Sequence, residues 1–483
     1  MPLYLKYAVS FIYFLLLLYT IIRILLHTHS IAKALAYILL IIVVPLAGMI
    51  FYYAFGLNLR LVSINSRIAA ASLQFSEAFH NHVPDHTHKI LHAETLSMGH
   101  YSKLVKFIYK LSGEHLSWND CNLLTNGEEK FPEIIRTLEG AKLFIHIEYY
   151  NWENDTRGNQ IKDVLLKKAA AGVKIRVIFD DYASRKIKTN IIRELKRGGI
   201  ETSPAIKLGL VRFAVRMNHR DHRKIIIVDG QAGFVGGINI SDRYDNSIDT
   251  DLFWRDTHVK ITGPAVLNLQ YHFVISWNAC QTRQLVFQDT LLPKQHQESN
   301  HKELVQIVAG GPIYPMSNIM LTYFTIFTLA KERLYITNPY FIPSDSILDA
   351  LKQASISGAD VRIILPGKSD SIVVGLASQF YFSELLQAGV KIYLYQKGFV
   401  HAKTVVADGF ASVVGTANMD IRSFDLNFEI MSVIYGTSFG RQLEDAFLKD
   451  LEECIQVDME EWSKMRKSKH LAISTARLIS EFL

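Results

Sequence analysis

Asn218-His-Arg-Asp-His222-Arg-Lys224-Ile-Ile-Ile-Val-Asp229-Gly230 is a stretch that the chain writes twice, the second time as Gly398-Phe-Val-His401-Ala-Lys403-Thr-Val-Val-Ala-Asp408-Gly409. In each copy a histidine and a lysine stand two apart at the head of a β-branched run, so both side chains point to one face of a strand. The Asp-Gly pair is a hairpin-turn signal and puts Asp229 and Asp408 at the strand ends. Seven residues beyond each Asp comes Gly-x-x-Asn, as Gly236 to Asn239 and as Gly415 to Asn418. A three-residue motif of this kind is expected by chance well below once in such a chain, and two copies with equal sequels mean duplication.

A wider repeat surrounds the motifs. An apolar stretch over 143–150 precedes a helical pattern over 160–171, then Gly172 and a strand-like run over 173–178. The same plan returns as 334–341, 345–357, Gly358 and 359–364. The offset is 186 residues between Gly172 and Gly358 and 179 between His222 and His401, a loop's worth of difference, so the repeat is on the scale of a domain. Strands alternating with helices predict an α/β fold of two pseudo-symmetric α-β-α sandwich domains. The expected organisation is a transmembrane hairpin over 1–57, a linker over 58–117, a first domain over 118–295 and a second over 296–483.

The amino terminus is apolar in two runs. Between Tyr7 and Leu26 only Arg23 is charged, and 34–57 carries no charge over 24 residues. Each is long enough to cross a hydrocarbon core of about 30 Å at 1.5 Å per residue, the second more surely than the first. Arg23 lies near the end of its run, where its long side chain reaches the headgroups. A cleaved signal peptide is disfavoured, because the first run is long for one and cleavage near Ala34 would leave a second complete span. The flanks carry Lys6, Arg60 and Arg67 against Arg23 and Lys33 in the link, which favours a cytoplasmic catalytic part on a multi-pass membrane protein. His80, His82, His86, His88 and His92 in the linker lack a matching carboxylate or cysteine pattern and are interrupted by Pro84, so they read as solvated polar residues and not as a metal site.

The 483 residues are 49% hydrophobic and 20% charged, which suits a folded rather than a disordered chain. A net charge of +6 suits an anionic partner, lipid or nucleic acid. Three scattered cysteines, Cys121, Cys280 and Cys454, indicate neither a disulfide framework nor a zinc site.

The repeated residues fit one chemistry. A phosphodiester is anionic and has a poor alkoxide leaving group, so its cleavage needs a nucleophile, an acid for the departing oxygen and cationic clamping. Two imidazoles and two ammoniums supply all three with no metal or other cofactor. His222, Lys224, Asp229, His401, Lys403 and Asp408 are therefore the expected catalytic set, with Asn239 and Asn418 binding phosphate oxygens. Each histidine also needs a carboxylate on its second nitrogen to fix its tautomer, and Asp256 and Glu429 are the candidates. His219, His258 and His272 read as structural groups.

These motifs resemble those of the phospholipase D superfamily. Arg216-Met-Asn-His-Arg-Asp-His222, Gly236-Gly-Ile-Asn239, Trp254-Arg-Asp-Thr-His258, Asn338-Pro-Tyr-Phe-Ile-Pro343 and Gly415-Thr-Ala-Asn418 through Glu429 are similar to the bacterial cardiolipin synthases within it, as are the paired amino-terminal runs. The resemblance implies that one phosphatidylglycerol gives its phosphatidyl group to an enzyme histidine, releasing glycerol, and that a second phosphatidylglycerol accepts it to form cardiolipin. It further implies His222 as nucleophile and His401 as acid and later base. Hydrolysis by a phospholipase D, or transfer to another headgroup alcohol, would use the same residues. A nuclease is disfavoured by the membrane spans and by the lack of a basic-aromatic groove pattern, and no nucleic-acid partner is expected. Two positions depart from the family: Arg243 stands where an acidic residue is usual, and the tail over 476–483 lacks a proline.

Overall fold

The computed structural model describes residues 2–28, 31–53, 75–81, 83–205, 220–281, 284–286 and 302–480. Residues 54–74 of the predicted hairpin and linker, His82, the 216–219 approach to the first motif and the 295/296 domain boundary lie outside the described residues. The described chain divides into a small unit, built on residues 1–66, and a large one carrying both motifs.

In the small unit, α1 spans Leu3–His27. Its 25 residues rise about 38 Å, and the faces of Leu5, Phe11, Phe14 and Leu18 are exposed, so it is long and apolar enough to cross a membrane. The second apolar run differs from expectation. It forms α2, Ile31–Val43, and α3, Pro45–Phe51, instead of one continuous span. Pro45 lacks an N–H and restricts its predecessor, and Val44 accordingly leaves the helix at φ −134°, ψ 76°. Gly48 lets α3 fold back on α2, since a Cβ there would lie 2.8 Å from Ile41 Cα. Among the described residues α1 alone has spanning length.

The strands of the large unit are β1 Ser117–Thr125, β2 Phe144–Tyr149, β3 Lys174–Phe179, β4 Glu201–Pro204, β5 Lys224–Val228, β6 Ala232–Gly236, β7 Trp254–Arg255, β8 Thr257–Thr262, β9 Glu303–Gly310, β10 Arg333–Thr337, β11 Phe341–Ile342, β12 Asp360–Pro366, β13 Lys391–Tyr395, β14 Phe399–Val400, β15 Thr404–Ala407, β16 Ala411–Gly415, β17 Met419–Asp420, β18 Glu429–Tyr435 and β19 Cys454–Gln456. Among the described residues fifteen of them form one sheet, ordered β19-β13-β12-β10-β15-β16-β18-β9-β1-β8-β6-β5-β2-β3-β4. Outward from the centre, β1-β8-β6-β5-β2-β3-β4 is matched strand for strand by β9-β18-β16-β15-β10-β12-β13. The seam is antiparallel, with Ser117 opposite Val305 and Trp118 opposite Leu304. The expected duplication is present, but its two copies share a single sheet.

Why the sheet is covered on both faces follows from its apolar runs. A central strand with no polar alternation buries both faces. Ile225 and Ile227 of β5 join a core that also takes Phe273 and Trp277 from the helix Ala265–Cys280 and Phe439 and Leu443 from the helix Thr437–Leu451. The intervening Ile226 and Val228 join an opposite core with Phe131, Ile161 and Leu165. Each fully buried side chain of this kind contributes about 1.5–3 kcal/mol over its exposed state. The helices predicted after β2 and β10 are Thr156–Ala170 and Asp345–Ile356. Gly172, at φ +86°, and Gly358, at φ +105°, end them in a conformation that side chains disfavour.

The linker expectation is corrected over 87–112. That segment forms the helices Thr87–Met98 and Ser102–Ser112, whose Leu91, Met98, Leu104, Val105 and Ile108 are buried in the second half's core. The apolar spacing of 104, 105 and 108 is one helix face and puts the segment inside the fold. His86, His88 and His92 stay exposed at its surface, and His88 stands edge-on to Tyr109.

Candidate active site

The two histidines enter by equivalent and crossed routes. Just before β5, Asp221 bridges to Phe428 of the other half, and the His222 N–H donates to the Phe428 carbonyl at 2.9 Å. In the other copy β14 runs parallel to β7, and the His401 N–H donates to the Arg255 carbonyl at 2.7 Å. The residue after each acceptor is a carboxylate, so each imidazole meets the acid of the opposite half. His222 Nδ1 lies 2.9 and 3.1 Å from the Glu429 oxygens, and His401 Nδ1 lies 2.6 Å from Asp256 Oδ2. Thr416 donates its hydroxyl to Glu429, and the Thr257 N–H donates to Asp256 Oδ1 at 2.7 Å. Carboxylates so held accept the Nδ1 proton and leave Nε2 of each ring as the reactive nitrogen. Gly237 is required here, because a Cβ on it would stand 2.1 Å from Asp256 Oδ1.

Both lysines are buried. Lys224 Nζ donates to the His222 carbonyl at 2.7 Å and Lys403 Nζ to that of His401 at 2.5 Å. Burial, with the other lysine's charge adding to it, brings Lys403 down to about 7, and burial brings Lys224 down to about 8. Burial also lowers His222, and lowers His401 to about 3 with help from Lys403. Each imidazole feels the ammonium of the opposite half, Lys403 at His222 and Lys224 at His401, which brings the two motifs to one centre. Aromatic rings exclude water around it. Tyr150 stands edge-on to His222 at 4.6 Å between centroids, and Tyr244, Trp254 and Phe399 surround His401 at 5.7, 5.7 and 5.9 Å.

Asn239 donates to the Tyr244 hydroxyl at 2.7 Å, and buried Asn418 Oδ1 has no hydrogen-bond partner among the described residues. Both are buried, three residues after the glycines of their motifs. Asp229 and Asp408 are elsewhere. Seven residues of extended chain, at about 3.3 Å each, carry them roughly 20 Å along the strand from the imidazoles. Asp229 accepts the backbone N–H groups of Lys142, Leu143 and Phe144, each at 2.8 Å. Asp408 does the same for Glu332 at 2.8 Å and Arg333 at 3.0 Å, and accepts the Tyr101 hydroxyl at 2.9 Å. Both sit at positive φ, 54° and 53°. This geometry makes them pins between a β-hairpin and the start of the neighbouring strand.

Sequence reasoning misses Lys130. It is fully buried, and its Nζ donates to the carbonyls of Ile238 at 2.9 Å and Asn239 at 3.0 Å, holding the Gly-x-x-Asn loop in place. Its signal is a lysine on the apolar face of the helix Asn126–Glu139, between Gly127 and Phe131, Ile134 and Leu138. His258 and His272 are structural, the latter 2.8 Å from Glu114.

The family model described as "Cardiolipin synthase, PLD-like domain" matches residues 134–263 and again 323–451, one match in each half of the sheet. A "Phospholipase_D-nuclease N-terminal" model matches residues 15–56. Cardiolipin synthase 2 of Bacillus anthracis is 38% identical over 456 residues, covering 94% of this chain and 87% of that protein. The cardiolipin synthase of Geobacillus kaustophilus is also 38% identical, over 94% of this chain and 89% of that one. Among solved structures, phosphatidylserine synthase from Haemophilus influenzae aligns with a TM-score of 0.59 at 15% identity, over 79% of this chain and all of that one, which is a likeness of fold.

Proposed function

Because the chain belongs to the cardiolipin synthase family of phospholipase D-like proteins, we propose that it transfers a phosphatidyl group from one phosphatidylglycerol to a second, giving cardiolipin and glycerol. The observation that supports this reading is the crossed pairing of His222 with Glu429 and His401 with Asp256, which ties each imidazole to the opposite half and leaves its Nε2 available for chemistry. His222 Nε2 attacks phosphorus, and the bond to the glycerol oxygen breaks as His401 supplies that oxygen with a proton. The terminal hydroxyl of a second phosphatidylglycerol then gives its proton to His401 and attacks phosphorus, and the P–N bond breaks.

In the free site burial keeps both imidazoles neutral, so the acid must gain its proton with the substrate. The anionic phosphodiester favours that gain, because an opposite charge in a water-poor site raises a base's proton affinity. Lys224, Lys403, Asn239 and Asn418 clamp its non-bridging oxygens. Lipid as acceptor, and not water or nucleic acid, accords with an amino-terminal helix of spanning length.

Labelled phosphatidylglycerol, given to the full-length protein and quenched early, tests the assignment. Cardiolipin should form, and the trapped phosphoenzyme should map to His222 by mass spectrometry. Phosphatidic acid without cardiolipin would mean hydrolysis, and label on His401 alone would exchange the two roles.

A further inference from the structure

Transfer between two phosphatidylglycerols requires a second phosphate site, because the acceptor brings an anion of its own. In the product the two phosphates are separated by one three-carbon bridge, so that site must adjoin the reacting one. A cleft of about 280 Å³ does so. Tyr150, whose ring stands against His222, forms part of its wall together with Glu153, Tyr182, Arg185 and Lys186.

Its charges are unbalanced. Arg220 lies beside the cleft, behind its wall residue Tyr182: it is only 9% exposed and stacks on that ring, with Cζ 4.7 Å from the centroid. Arg185 approaches the same ring at 5.4 Å. Neither guanidinium has an ion-pair partner among the described residues, whereas the nearby acids are engaged. Glu153 is held by Arg243, Asp181 by Lys188, and Asp180 accepts the N–H groups of Tyr182 and Ala183 at 3.0 and 2.9 Å. Arg243 thus pairs with the one carboxylate in the cleft wall, which would otherwise oppose an anion there. A guanidinium nine-tenths buried with no carboxylate is costly unless an anion joins it.

We propose that this cleft binds the phosphodiester of the acceptor lipid, with Arg220 and Arg185 as its ligands, and so brings the acceptor's terminal hydroxyl to the phosphorus carried by His222. The inference rests on the phosphatidyl-transfer reading above. Its chemistry is that of bidentate guanidinium recognition of a phosphate, and it gives the cleft to the acceptor, leaving the donor with the lysines and asparagines.

Two reactions of the full-length protein in phosphatidylglycerol vesicles separate the roles. Cardiolipin formation uses the acceptor site. Exchange of labelled free glycerol into phosphatidylglycerol does not, since glycerol carries no phosphate. Arg220→Gln and Arg185→Gln should each lower cardiolipin formation by about tenfold or more and leave glycerol exchange within about twofold of wild type, with Arg185→Lys intermediate. Arg185 is exposed on a turn, so it carries the test if Arg220→Gln fails to fold. Equal loss of both reactions in Arg185→Gln, or no loss of cardiolipin formation, overturns the acceptor cleft while the transfer reading stands. A wild-type protein that performs neither reaction overturns both.

Discussion

An imidazole enclosed by Tyr244, Trp254 and Phe399 has lost most of its water, and His401 accordingly holds a proton far less readily than histidine in solution. The same burial discharges the lysines, at about 7 for Lys403 and about 8 for Lys224. Both values lie below the ordinary 10.5, so between pH 7 and 10 the empty site carries fewer protons than free lysines would. An oxyanion stabilises the ammonium form and draws those protons back. Sulfate, which does not titrate in this range, should therefore bind with proton uptake by the lysines at pH 8.5, and at pH 6.5, where the lysines are largely charged, with uptake by the acid imidazole alone. Its affinity should fall about tenfold per pH unit for each proton taken up. Calorimetry in buffers of different ionisation enthalpy measures both quantities. An affinity that is constant from pH 6.5 to 8.5, with no proton uptake, would mean that the lysines are already charged.

At the scale of elements, the motif's third residue changes its meaning. Asp229 and Asp408 close their hairpins in left-handed backbone and collect backbone amides at the head of β2 and β10, so they set strand register. Asp229→Ala should cost about 2–4 kcal/mol in unfolding free energy, from hydrogen bonds to a charged acceptor and from the lost turn. Turnover per folded molecule should stay within about threefold of wild type. Chemical denaturation paired with active-site-normalised rates tests this, and a variant of full stability without activity would return Asp229 to the chemistry. The helix-strand plan around Gly172 and Gly358 is legible in the sequence, because local periodicity and glycine punctuation dictate it. So are the acids Asp256 and Glu429 as partners of the histidines, whereas His222 stands just before β5 and not within the strand expected to carry it. What local pattern does not carry is which acid serves which histidine, since that crossing depends on strands β7 and β14 meeting from opposite halves. The buried helices over 87–112 are obscured by surface histidines, and Lys130 by its charge.

The whole molecule joins a duplicated sheet, with its centre at the seam, to an apolar amino terminus. The halves cannot act singly, because each histidine takes its carboxylate from the other. The division of the second apolar run at Pro45 bears on how the chain meets the bilayer, for α1 has spanning length and α2 alone, at 13 residues, rises only about 20 Å. We propose that in the bilayer α3 extends α2 instead of folding back on it, so that residues 31–51, at about 1.5 Å each, complete a second crossing of roughly 30 Å, and that the large unit lies in the cytoplasm. Three basic residues at the flanks, Lys6, Arg60 and Arg67, against two in the link support that orientation. Two crossings return the chain to its starting side, whereas a single crossing by α1 would separate Lys6 from the large unit. The arrangements differ in what a protease reaches. Added to intact spheroplasts, a protease should leave both an amino-terminal tag and the large unit uncut, while in inverted vesicles it should remove the tag and attack the exposed loops of the large unit. Loss of the tag in spheroplasts with protection of the large unit would establish a single crossing, and digestion of the large unit in spheroplasts would put the reaction on the outer face.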